Sequence, residues 1–89
     1  MMREFNIYMN LAAINFADNR LKDARRMCIE ARDVARNAHR CFARDIVEMD
    51  EWRCRLSWAT ACLAFVSQEI ATVELGLEII DEMMSEVVR

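Results

Sequence analysis

The stretch LKDARRMCIEARDVARNA, residues 21–38, carries apolar side chains at Leu21, Ala24, Cys28, Ala31, Ala35 and Ala38. The intervals alternate between three and four, the period of one face of an α-helix. Most of the residues between them are charged, including Lys22, Arg25, Arg26, Glu30, Arg32, Asp33 and Arg36. This predicts a helix with one face of small apolar residues, which permits close approach by a second helix.

The same period extends in both directions. Every seventh residue from Ile7 is apolar: Ile7, Ile14, Leu21, Cys28, Ala35, Phe42, Met49, Leu56, Leu63, Ile70, Leu77 and Met84. The companion column three residues on runs Ala17, Ala24, Ala31, Ala38, Asp45, Trp52, Ala59, Val66, Val73, Ile80 and Val87, with Arg3 and Asn10 breaking it at the start. Together the two columns predict a seam of the coiled-coil type. The second column is all Ala from 17 to 38 and bulky from Trp52 onward, Ala59 excepted. A smooth surface facing a bulky one predicts that segment 20–41 packs on segment 68–88.

Charge suggests the same pairing. Residues 18–44 hold a balance of +4 and residues 45–89 a balance of −7, within a net charge of −3. Opposite charge on two segments draws them together, within a chain or between chains.

Composition narrows the fold class to all-α. The chain has 89 residues, no Pro and one Gly, Gly76. Sheet proteins need both residue types in their turns. A single helix of this length would run roughly 130 Å, and three turn signals argue against it. Asp18-Asn19 combines capping residues with an Asn that tolerates the left-handed conformation. Asp45 and Glu48 have capping-box spacing. Ser67 is followed by Gln68 and Glu69, an acid in a first helical turn. The expected helices are 3–17, 20–41, 45–66 and 68–88, in a single domain spanning 1–89 that forms a small three- or four-helix bundle. The second and third of these could also be one continuous helix.

The segment from Tyr8 to Ala31 resembles one helical hairpin of the tetratricopeptide (TPR) family. The residues that carry the likeness are Tyr8, Leu11 and Ala12 on the first helix, a polar turn at Asp18-Asn19-Arg20, then Leu21, Ala24 and Ala31 on the second. It departs from the family at Asn19 for the turn Gly, Asn15 and Cys28 for aromatic residues, and in lacking the closing Pro. A solenoid needs about three repeats or more, so this resemblance implies one hairpin and not an array. It implies a peptide- or protein-binding scaffold of the adaptor or chaperone kind.

Catalytic and metal chemistry have little to work with. His39 is the only histidine, and Cys41, two residues away, points about 200° from it on a helix. The cysteines Cys28, Cys41, Cys54 and Cys62 are spaced by 13, 13 and 8, unlike the short Cys pairs of zinc sites. Glu74, Glu78, Asp81 and Glu82 read as a solvated helix face. No enzyme activity, metal or cofactor is expected. The N-terminus lacks the basic and apolar regions of a signal peptide, and no run approaches the about 18 apolar residues of a membrane span. A cytoplasmic location with reduced thiols is the expectation.

Two surface features remain. Trp52, Trp58, Phe65 and Cys62 belong to a stretch that is apolar on more than one face, as in a central or interfacial helix. With a hydrophobic fraction of 55%, the chain has more apolar surface than a core this size readily hides. Those four residues are the expected partner-binding set, for a helical protein partner or a second copy in a homo-oligomer. Arg25, Arg32 and Arg36, with Arg40 at the edge, form a stripe that could instead follow a phosphate backbone. The acidic sequence pI of about 5.1 opposes that alternative, a nucleic-acid-binding regulator.

Overall fold

The computed structural model describes the backbone of residues 2–44 and 50–88, and the side chains of 3–42, 55 and 57–87. It contains three helices, α1 (Met2–Ala17), α2 (Leu21–Arg44) and α3 (Asp50–Val88), and no strand among the described residues. This is a small all-helical bundle, drawn out to 62 Å along its longest axis.

The central element is α2, against which both α1 and α3 pack. Its small-residue face makes this possible: Ala24, Ala31, Ala35 and Ala38 are fully buried, and Cys28 nearly so. With no long side chains in the way, neighbouring helices can approach from both flanks. The helices α2 and α3 run antiparallel. Arg25 meets Glu74 at 3.1 Å, Ala24 clusters with Val73, and Ala31 and Ala35 share a buried cluster with Cys62 and Val66. The antiparallel packing excludes one straight helix through α2 and α3, while the Asp45–Glu48 capping box lies outside the described residues.

The first turn is built as its sequence suggests. Asn19 has φ of 66°, the left-handed region. Around it, Asn19 N–H donates to Phe16 O at 3.1 Å and Arg20 N–H donates to Asn15 O at 2.8 Å. This is a Schellman closure of α1, with Asn in the place usually taken by Gly. Ala24 N–H then donates to Arg20 O at 2.9 Å, which starts α2.

The seam holds in α2 and the middle of α3 but not in α1. Ile7 and Ile14 are about half exposed. The face that α1 buries instead carries Phe5 and Ala12, with Tyr8 and Met9 packed beside them. Because α1 is apolar on both faces, periodicity cannot choose between them. The larger Phe5 side chain goes inward, edge-to-face on Trp58 with ring centroids 6.1 Å apart.

Two further expectations are corrected. The break at Ser67 does not occur, and α3 is one helix of 39 residues. Ser67 is exposed, while Cys62, Val66, Ile70 and Val73 are all buried on one continuous face. Breaking the helix there would lose backbone hydrogen bonds and gain no contact. The register of α2 on α3 also differs from the pairing of 20–41 with 68–88. The N-terminal part of α2 reaches Val73, Glu74 and Gly76, whereas Ala31 and Ala35 join Cys62 and Val66. The second half of the 68–88 segment therefore extends past α2. Its seam residues Ile80, Met84 and Val87 are 40%, 57% and 79% exposed.

Candidate partner-binding surface

α1 and α3 touch where Phe5 meets Trp58. Further along they leave a cleft of about 400 Å³ between them. Its floor is Ala24 and Cys28 of α2, its walls are Met9, Ala13 and Phe16 of α1 and Phe65 and Val73 of α3, and its polar groups are Asn10 and Glu69. Small residues on α2 make the floor low, and large residues on the flanking helices make the walls tall. Phe16 and Phe65 are 49% and 53% exposed. An open, mostly apolar trough with two half-exposed aromatic rings is suited to an apolar side-chain ridge.

The four residues expected to bind a partner do not form one patch. Phe65 lies on the cleft wall. Trp58 is half-buried against Phe5 in the core. Cys62 is buried with Ala59 and Val66, because it lies on the face of α3 that meets α2, and so presents nothing to a partner. The side chain of Trp52 lies outside the described residues. Sequence reading missed Met9 and Phe16, which face Phe65 across the cleft. Their only signal was that α1 has apolar residues on every side.

The arginine stripe is divided by its surroundings. Arg25 is paired with Glu74. Arg32 is half-buried, with its Nε shielded from solvent and without a hydrogen-bond partner. Arg36 and Arg40 are exposed. Among the described residues, two exposed cations of the stripe are a weak electrostatic footprint for a phosphate backbone.

Burial pushes the thiol of Cys28 above its ordinary value, helped by the nearby Glu69 carboxylate, and burial does the same to Cys62. Both stay protonated at neutral pH, the unreactive form. Cys41 is exposed. Among the described residues no three His, Cys, Asp or Glu side chains gather as a metal ion needs. No described helix is long and apolar enough to cross a membrane.

Comparison with protein-family models, curated proteins and solved structures finds no match. The cleft and the exposed apolar surface are the features from which a function can be argued.

Proposed function

We propose that this chain is a protein-binding module, of adaptor or chaperone type, that seats an apolar helical segment of a partner in the cleft between α1 and α3. The observation that carries this is the cleft itself, walled by Met9, Phe16 and Phe65 and floored by Ala24 and Cys28. Phe16 and Phe65 leave half their surface in water, and aromatic side chains of this kind become binding hot spots once a partner excludes solvent. A helix can offer apolar side chains at three- and four-residue spacing to such a trough. The likeness of residues 8–31 to a TPR hairpin supports the same reading.

The test is to recover partners with wild-type protein and with a Phe16→Ser/Phe65→Ser double variant, and then measure binding of the recovered partner in pure form. The expected result is binding lost in the double variant and kept in Arg36→Ala/Arg40→Ala. If instead the chain binds RNA or DNA in a salt-sensitive way that Arg36 and Arg40 control, the nucleic-acid alternative takes its place.

A further inference from the structure

The cleft between α1 and α3 is apolar except for the amide of Asn10 and one charge, Glu69. Glu69 stands four residues after Phe65 and four before Val73, so the three side chains follow one another along the α3 wall. It is half-buried. Its charge reaches the floor, where it helps to raise the Cys28 thiol. Among the described residues, no ion pair or hydrogen bond holds its carboxylate.

Among the described residues, no cation lines the cleft. Arg25, next to the floor residue Ala24, is held at 3.1 Å by Glu74, which lies about 140° from Glu69 around α3. Arg20 and Arg26 both pair with Asp23. Lys22 lines a separate notch with Leu77 and Ile80. On α1, Arg3 lies about 120–140° around the helix from the wall residues Met9 and Phe16.

A purely apolar helix seated in the cleft would strip water from the Glu69 carboxylate and leave it unpaired, which is costly. A helix with a base at that level offsets the loss, and a covered pair is stronger than one on an open surface. The walls favour apolar side chains and the single charge favours a cation.

We infer that the cleft takes an amphipathic helix whose apolar ridge is interrupted by one Lys or Arg, and that Glu69 selects it. This rests on the cleft reading above and adds the partner's chemistry to it. The base has apolar residues three or four positions away on either side, because that spacing matches the rise from Phe65 through Glu69 to Val73. Met9 and Phe16 grip the ridge from the opposite wall. The two Phe rings supply affinity, and Glu69 discriminates by penalising any helix that leaves it unpaired.

A displayed library of short helical peptides, with apolar residues fixed on one face and the positions between them randomised, tests this on the full chain. Wild-type protein should enrich Lys or Arg between the apolar anchors, and Glu69→Lys should enrich Asp or Glu there. The strongest wild-type binder, made as a free peptide and followed by fluorescence anisotropy, should lose about tenfold or more in affinity when its base becomes Glu. That loss should largely vanish in Glu69→Gln and persist in Glu78→Gln, whose side chain lies on the opposite face of α3. Peptides that bind in a Phe65-dependent way without preferring a base would overturn the inference and leave the cleft reading standing. A preference for a base that survives Glu69→Gln would do the same. If no peptide is enriched that Phe16→Ser/Phe65→Ser releases, the cleft reading falls and the inference falls with it.

Discussion

Asn19 shows how one residue decides a turn. It occupies the left-handed region with φ of 66°, where an ordinary L-residue costs roughly 1–2 kcal/mol and Gly or Asn costs less. Asn19→Ala should therefore lower the unfolding free energy by about 1 kcal/mol, and Asn19→Gly should keep or raise it; urea titration of the three proteins reads the difference. This turn was legible in the sequence because the signal is local: polar capping residues between two apolar runs. The burial of Cys28 and Cys62 was legible only as a preference for packing over chemistry. Their raised thiol values have a consequence for pH. The protonated form is favoured in the folded state, so these groups stabilise fully below the ordinary thiol value of 9.0 and lose that contribution as pH rises above it. A thiol reagent at neutral pH should label Cys41 quickly and Cys28 and Cys62 slowly; equal rates for all three would contradict the burial.

At the scale of the elements, α2 was the easiest to read. Its polar and apolar faces are cleanly separated, and a small-residue face between two neighbours leaves one way to pack. Ala31 is fully buried in the main cluster, so Ala31→Leu should cost about 1–3 kcal/mol through overpacking. Arg25→Ala removes a pair whose side chains are 47% and 50% exposed, which is worth about 0–1 kcal/mol. Thermal or urea unfolding of both variants should show Ala31→Leu as the more damaged. α1 was harder, because apolar residues on both its faces make two burial patterns equally periodic. Phe5 inward and Ile7, Leu11 and Ile14 outward is a result of pairing with Trp58. The false break at Ser67 has a related cause. Ser, Gln and Glu have the types that start a helix, but they also sit comfortably on an exposed face of a continuing one.

For the molecule as a whole, stability is uneven along its length. The fully buried Ala24, Ala31, Ala35 and Ala38 place α2 between two helices, whereas residues 81–87 are exposed on every side. Amide exchange in dilute protein should be slowest in α2 and fast beyond Ile80. Uniform protection along all of α3 in dilute solution would contradict this gradient.

The sequence by itself determined that the chain is helical, that α1 stops just before the Asp18-Asn19 turn, and that the small-residue face of α2 is a packing surface. These follow from backbone preference and from side-chain period, which act over a few residues. Only the tertiary structure decided which face of α1 turns inward, that Phe16 and Phe65 stand across an open cleft, and that the seam of α3 outlasts its cover. Those depend on the register of one helix against another. Register is set by how side chains tens of residues apart fit together, and no local pattern records that fit.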